Sequence, residues 1–200
     1  TLKTQDDITK VIKECRAKTV GEISGAVVGN EEIIKLLGAA KRAGVKVNGH
    51  CPSMGFRDVQ QAACAGLCDD HECESISDLE QRLACGMAVL VREGTIEPNC
   101  RTLCKGIVKN HIPTDDIMFC TDDKSAEDIK ENGCIDNALR IAVKSGISPV
   151  SAIKMATLNV ARHYGVDDII GSVAPSRKAN FLLMDSLENM TVKKVYHKGR

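Results

Sequence analysis

Three short apolar stretches of this chain end at side chains that can bind a metal ion or carry a proton. The first ends at His50, the second runs into Asp69-Asp70-His71-Glu72, and the third ends at Cys120-Thr121-Asp122. In a (β/α) barrel the chemically active side chains lie at the C-terminal ends of the strands, so that groups distant in sequence meet in space. The pattern therefore predicts a metal-dependent barrel enzyme.

Two further apolar stretches end at acidic residues, Glu22 and Glu93, and complete a regular spacing. The five strand-end positions 22, 50, 71, 93 and 122 are separated by 28, 21, 22 and 29 residues. A strand with its return helix needs about that length, and strands that alternate with helices form parallel sheets. We therefore predict about five βα units whose strands lie side by side in sequence order.

The segments between these strand ends are predicted to be helical from their caps and stop signals. The clearest helices are one capped by Asn30 and ended by Gly44, one over 58–64 ended by Gly66, one with a Ser77–Glu80 capping box ended by Gly86, and two over 135–144 and 150–163. After Gly165, residues 181–185 and 191–196 resemble short strands that are too close together for another βα unit. We predict a small β appendage there.

The length of the chain limits how much of a barrel it can form. A complete barrel typically takes about 250 residues, and this chain has 200, of which the last thirty-odd belong to the appendage. The predicted fold is therefore α/β, a partial TIM-type (β/α) barrel of about five βα units over 1–165, with part of a small β domain over 166–200. Because an open barrel leaves an unpaired edge strand, we expect a homo-oligomer.

Composition excludes several classes of partner. The formal net charge is zero with acidic and basic residues interspersed, which predicts no nucleic-acid or membrane surface, and neither a signal peptide nor a transmembrane stretch is evident. The ten cysteines form no C-x-x-C pair, which favours reduced, buried thiols in a cytoplasmic protein over a zinc site or disulfides. Contact of Cys51 or Cys73 with a metal stays open, because both flank candidate ligands.

The candidate ligands mix carboxylates with imidazoles. Such a set suits Zn²⁺, Fe²⁺ or Mn²⁺, which lower the pKa of bound water, while a strand-end carboxylate carries the proton. The set comprises Glu22, His50, His71 and Asp122. The pattern predicts hydrolytic chemistry.

Each candidate residue also has a structural alternative. Glu22 can be a solvated loop carboxylate, and Asp122 with Asp123 can cap the following helix. Arg92 and Glu93 can form a rim salt bridge of little energetic consequence. Their joint placement at the ends of successive strands favours the functional interpretation.

The motifs that contain these residues resemble those of bacterial-type adenine deaminases, members of the amidohydrolase superfamily. The motifs are Val47-Asn48-Gly49-His50-Cys51-Pro52, Asp69-Asp70-His71-Glu72-Cys73, Val91-Arg92-Glu93-Gly94 and Cys120-Thr121-Asp122-Asp123. Residues 155–162 and 171–175 resemble the helix after the last barrel strand and the return into the small domain of amidohydrolases in general. Residues 185–189 and 192–196 resemble adenine deaminases in particular.

The resemblance implies roles for individual residues. Glu22 would bridge two metal ions, His50 and His71 would bind them, and Asp122 would bind metal and shuttle the proton. The remaining candidates, for catalytic support or for orienting the purine, are Glu72, Glu93, Arg92 and Asp123. The implied reaction is attack of water at C6 of adenine, with Mn, Fe or Zn in a binuclear site, giving hypoxanthine and ammonia.

The chain also departs from the family pattern. No His-x-His, which the family carries on its first strand, occurs in these 200 residues. Cys134 follows Gly133 where the family tends to have His, and Ser176 stands where a glycine is usual. We therefore expect the middle of a longer enzyme, inactive or weakly active alone because two ligands are missing.

Two further functions stay open. One is a non-catalytic domain that keeps the fold and binds a partner or a purine, and the other is an amidohydrolase that acts on a cyclic amide or imidazole ring. The unrelated zinc nucleobase deaminases are excluded because neither His-x-Glu nor Pro-Cys-x-x-Cys occurs.

Overall fold

A computed structural model describes residues 4–200 and shows an α/β fold. Five strands form one sheet in sequence order: β1 Thr19–Ser24, β2 Lys46–His50, β3 Asp69–Asp70, β4 Ala88–Arg92 and β5 Ile117–Cys120. The β1–β2, β2–β3 and β3–β4 pairs are parallel. The predicted strand order is confirmed.

Helices connect these strands and follow the last of them. Their bounds are α1 Gln5–Glu14, α2 Glu31–Ala43, α3 Phe56–Ala65, α4 Ile76–Ala84, α5 Cys100–Lys109, α6 Ala126–Asn132, α7 Ile135–Lys144, α8 Pro149–Ala156 and α9 Leu158–His163. A short 3-10 helix, Gly25–Val27, follows β1. Within residues 4–200, no helix combines the length and the apolar character that a membrane span requires.

The chain divides into two compact units. The first runs to Cys73 and resumes over Ser77–Val89, and the second comprises Glu74–Ile76 and Leu90–Arg200. Strand β4 therefore begins in the first unit and ends in the second.

The core of the first unit is built from small and aliphatic side chains. Helix α2 begins at the predicted Asn30 cap, whose side chain accepts from the backbone N–H of Glu32, and ends at Gly44 with a left-handed φ of 69°. The buried cluster comprises Ile12, Leu37, Ala40, Val47, Cys51, Val59, Ala62, Leu67 and Met87. Strand β2 thus lies over a core supplied by the helices around it.

Strands β2 and β3 approach closely at Gly49. A Cβ at this position would lie 2.3 Å from the carbonyl oxygen of Asp69, which belongs to the backbone and cannot turn away. The N–H of Gly49 also donates to the carboxylate of Asp69 at 3.1 Å. Glycine here lets the strand that carries His50 lie directly against the strand that precedes His71.

The second unit packs α7 and α8 near β5, and it ends in the predicted pair of short strands. Strands β6 Phe181–Met184 and β7 Val192–Tyr196 are antiparallel, and the rings of Phe181 and Tyr196 stack with centroids 4.6 Å apart. Within this unit the side chain of Asn159 donates to the carbonyl oxygens of Thr114 and Ile117, at 2.7 and 3.0 Å. These bonds fix helix α9 to the start of β5.

Two helix predictions are wrong in detail. Helix α4 begins at Ile76, so Ser77 lies in its first turn and its hydroxyl accepts from the side chain of Gln81 instead of forming a capping box with Glu80. The helix predicted over 150–163 is two helices, because the backbone of Thr157 leaves the helical region at φ −136° and ψ −80°.

Candidate metal centre

Three predicted ligands of the first unit meet at the ends of their strands. One oxygen or nitrogen atom from each of Glu22, His50 and His71 lies within 4.8 Å of the other two. His50 Nδ1 is 3.4 Å from His71 Nε2, and His71 Nε2 is 3.4 Å from Glu22 Oε2. These side chains therefore present their donor atoms to a common point.

Glu72 brings a second carboxylate to the same two imidazoles. Its Oε1 atom lies 3.3 Å from His50 Nδ1 and 3.2 Å from His71 Nε2, shorter than either separation from Glu22. The Glu72 side chain is 6% exposed, whereas that of Glu22 is 59% exposed. The sequence favoured Glu22 as a ligand and Glu72 as a catalytic group, but the geometry makes Glu72 an equally good donor.

The parallel register of β1 and β2 places Glu22 near His50. Ile23 pairs with Gly49 and Ser24 with His50, and the register shifts between Val20 and Ile23. Glu22 lies between these two residues and therefore in an irregular part of its strand. Irregularities of this kind change the direction in which a side chain points.

A buried ion pair lies directly behind the imidazoles. Arg82 Nε donates to Asp70 Oδ2 at 2.9 Å, and the two side chains are 1% and 0% exposed. Burial is the largest single effect and lowers the pKa of Arg82, but the hydrogen bond with Asp70 and the charges of neighbouring groups together outweigh it and raise the pKa. Arg82 is therefore a permanent cation.

The sequence interpretation missed this pair. Two signals were present: Asp69 and Asp70 form an acidic strand in the middle of the chain, and Arg82 falls on the apolar stripe of α4 between Leu79 and Leu83. A charge at a core-facing position needs a buried partner of opposite sign. Asp70 is that partner.

The two cysteines that flank the candidate ligands are buried thiols. Burial, with a smaller contribution from the charge of Asp70, raises the pKa of Cys51 to about 12, so that this thiol is neutral near pH 7. Among residues 4–200, the groups of side chains placed to hold a metal include neither Cys51 nor Cys73. All ten cysteines of the chain are outside disulfides.

Asp122 lies in the second unit, just after β5, and its side chain is held on both oxygens. Arg92 Nη1 donates to Oδ2 at 3.1 Å, and the backbone N–H of Asp123 donates to Oδ1 at 2.9 Å. Arg92 also pairs with Glu97. The backbone of Asp122 is left-handed, with a φ of 54°. Strain of this kind is common at functional sites.

Glu93 occupies a different setting in the same unit. Its backbone N–H donates to the carbonyl of Cys120, and its buried carboxylate accepts from the N–H of Cys100 at the start of α5. Burial raises the pKa of Glu93, and nearby Lys124 only partly offsets that effect. Arg92 forms ion pairs with Asp122 and Glu97.

A separate network surrounds Lys124. Its ammonium group donates to the Glu93 carbonyl at 3.2 Å and to Asp128 at 3.0 Å, while the Thr95 hydroxyl donates to Asp128 at 2.8 Å. Hydrogen bonds from Asn132, Thr95 and Lys124 lower the pKa of Asp128 to about 2. This network fixes the first turn of α6, which Ser125 caps.

Comparison with known proteins identifies the family of this chain. The model of the amidohydrolase family matches residues 6–200. The chain belongs to the amidohydrolase family. An adenine deaminase of Nitratidesulfovibrio vulgaris is 38% identical over 196 residues, which are 96% of this chain and 34% of that protein. An adenine deaminase of Kosmotoga olearia is 35% identical over 198 residues, 98% of this chain and 34% of that one.

Solved amidohydrolase structures share the fold at low sequence identity. An N-acetylglucosamine-6-phosphate deacetylase from Pasteurella multocida superposes with a TM-score of 0.72 at 13% identity, covering 96% of this chain and 59% of that one. The enzyme from Mycobacterium smegmatis gives 0.70 at 14% identity, with 99% and 59% covered. The chain spans about a third of the length of its adenine deaminase relatives.

Proposed function

We propose that this amidohydrolase chain is part of a metal-dependent adenine deaminase. The observation that carries the proposal is the convergence of Glu22, His50 and His71 at the ends of successive parallel strands. The relatives named adenine deaminase, at 35–38% identity over nearly the whole chain, supply the substrate class. The reaction would form a C6–O bond from water, break the C6–N bond of adenine, and release hypoxanthine and ammonia.

The donor set fits a divalent ion of intermediate softness. Two imidazoles with the carboxylates of Glu22 and Glu72 suit Mn²⁺, Fe²⁺ or Zn²⁺, and we propose that Glu22 bridges two ions in the complete enzyme. When bound, such an ion lowers the pKa of water and makes it a nucleophile near neutral pH. His50 and His71 would hold it in place through their ring nitrogens.

The remaining candidate residues handle protons and the purine. We propose Asp122 as a further ligand and as the carrier of the proton to the leaving amine, because its two oxygens are oriented by Arg92 and the Asp123 N–H. Glu72 and Glu93 are proposed to support catalysis. Arg92 and Asp123 are proposed to orient adenine.

Several wider properties are proposals as well. We propose that residues 1–165 are part of a TIM-type barrel and residues 166–200 part of a small β domain. We propose a cytoplasmic location, which the ten free thiols favour, and a role in purine metabolism, which the proposed substrate implies. We also propose self-association through the open sheet, which sedimentation at high protein concentration tests: a clean monomer would contradict it.

Metal binding by the 200-residue chain tests the proposed function. Mn²⁺ or Zn²⁺ should bind it, and His71→Asn should weaken binding strongly because one ligand is lost. His197→Asn is the matched control, since His197 is exposed near the chain terminus. Retention of metal by His71→Asn after dialysis against a chelator would contradict the ligand assignment.

The substrate is tested on a chain extended to the length of the relatives. Ammonia release from adenine in the presence of Mn²⁺ or Fe²⁺ is the expected result, whereas the 200-residue chain should show little or none. Hydrolysis of a cyclic amide without activity on adenine would be consistent with the amidohydrolase family but would contradict the proposed substrate. Metal binding without any hydrolysis would favour a non-catalytic domain.

A further inference from the structure

The Asp70–Arg82 pair reaches the residue that follows each imidazole. Asp70 Oδ1 accepts from the backbone N–H of Cys51 at 3.0 Å and from that of Glu72 at 3.2 Å. Arg82 Nη2 donates to the carbonyl of Cys51 at 2.7 Å. Both backbone polar groups of the residue after His50 are therefore held by a single ion pair.

The same carboxylate also closes a turn around His71. Its bond to the N–H of Glu72, two residues further along, is the Asx-turn pattern, in which an aspartate side chain fixes the backbone just after itself. His71 is the residue enclosed by that turn. The pair thus restrains the backbone just after His50 and just after His71.

Stability does not account for a charged pair at this place. Apolar side chains of similar volume usually stabilise a core as well as a buried ion pair does, since desolvation offsets most of the attraction between the charges. An apolar pair cannot, however, bind three peptide groups in two loops. The geometry favours a role in fixing backbone direction.

We infer that Asp70 and Arg82 are positioning residues that hold His50, His71 and Glu72 in the arrangement suited to a metal ion. The inference rests on the proposed metal centre for its functional meaning. Its physical content, restraint of the peptides at Cys51 and Glu72, is independent of any metal. Partners of this kind behind metal ligands typically contribute about 10- to 100-fold in metal affinity.

Arg82→Lys is the decisive substitution. Lysine keeps a positive charge beside Asp70, but its ammonium group lacks the planar fork that reaches both Asp70 Oδ2 and the Cys51 carbonyl. Arg140 offers a matched control, because it bridges Asp136 at 2.8 Å and the Asn132 carbonyl at 2.6 Å in the same manner. Arg140→Lys therefore removes an equivalent fork away from the imidazoles.

Two measurements on the 200-residue chain are needed. Amide hydrogen exchange of the metal-free chain should be roughly tenfold faster at Cys51 and Glu72 in Arg82→Lys than in the parent, beyond any change at the other amides of the first unit. Co²⁺ titration, followed by d–d absorption, should show a dissociation constant raised about 10- to 100-fold. Arg140→Lys should change neither.

The outcomes separate the two proposals. If the parent binds no Co²⁺ but Arg82→Lys accelerates exchange at Cys51 and Glu72, the metal centre is wrong and the restraint is upheld. If Arg82→Lys leaves both exchange and Co²⁺ affinity within twofold of the parent, the positioning role is wrong. Should Arg82→Lys fail to fold, Asp70→Leu with Arg82→Met replaces the pair by apolar side chains that bind no peptide group, and the same loss of Co²⁺ affinity is expected; parent-like affinity overturns the role.

Discussion

The two units of the molecule surround their acidic side chains with different partners. In the first unit, Glu22 and Glu72 face imidazole nitrogens. In the second, Asp122 faces Arg92 and Asp128 faces Lys124. A carboxylate beside imidazoles can share a divalent cation with them, whereas a carboxylate beside a guanidinium or an ammonium group already has its counter-ion. The first unit is therefore expected to supply most of the metal donors, whereas Asp122 of the second unit, oriented by Arg92, is expected to act chiefly as the proton carrier.

Removing the proton carrier should give the largest effect. In a chain extended to the length of its relatives, Asp122→Asn keeps the shape and one ligand oxygen but cannot take up the proton. A positioned acid–base group typically contributes about 100- to 10,000-fold in rate, so ammonia release from adenine should fall by that order while metal content changes less. Asp115→Asn, an exposed residue paired with Lys154, is the control. Equal rates for the two variants would show that a residue other than Asp122 carries the proton.

A methyl group added where two backbone segments approach closely should lower the free energy of unfolding more in the first unit than in the second. A Cβ at Gly49 would meet a backbone oxygen at 2.3 Å, and one at Gly94 would meet the Thr121 carbonyl at 2.8 Å. Overpacking typically costs about 1–3 kcal/mol, so Gly49→Ala should lie near the upper end of that range and Gly94→Ala near the lower. Urea unfolding measures both. Gly29→Ala, with no atom within 4 Å of the added Cβ, should cost little.

Ionisation of Glu93 should make the second unit less stable as the pH rises. Because burial raises the pKa of this carboxyl, the folded chain holds the proton more tightly than the unfolded chain does. The associated stability is present below the unfolded pKa of about 4.3 and is lost as the pH rises through the folded pKa. Glu93→Gln should therefore stabilise the chain at pH 7 and give no gain near pH 4.

Chemical unfolding at the two pH values measures this difference. Glu131→Gln, at an exposed position, should not show it. If the gain from Glu93→Gln is the same at pH 4 as at pH 7, its cause is not ionisation.

The smallest expected effect concerns Ser176. Its backbone is left-handed, with a φ of 67°, which explains why a glycine suits this position better. Ser176→Gly should raise the thermal midpoint by relieving strain, although the greater freedom of glycine in the unfolded chain limits the gain to about 1 kcal/mol or less. Ser145→Gly, where φ is −87°, should instead lower stability.

The sequence predicted what depends on local pattern and periodic spacing. Strand ends at His50 and shortly before Asp122 followed from apolar runs that stop, and the helix over 31–43 followed from the Asn30 cap and the Gly44 stop. The convergence of Glu22, His50 and His71 followed from parallel strand order alone.

What the sequence could not predict depends on contacts between distant residues. The break at Thr157 arises although its neighbours on both sides favour a helix. The position of Glu72 between the two imidazoles depends on the turn that Asp70 closes, and this turn depends on Arg82, which comes from another element. No local pattern encodes such a three-way arrangement.

The placement of the aromatic rings has a practical consequence for spectroscopy. The chain has no tryptophan, and both its tyrosines, Tyr164 and the Tyr196 that stacks on Phe181, belong to the second unit. Intrinsic tyrosine emission therefore reports on the second unit alone and does not report on unfolding around the candidate metal centre. A tryptophan in place of Phe56, which is 45% exposed at the start of α3, would supply a fluorophore for the first unit. Each unit could then be followed at its own wavelength.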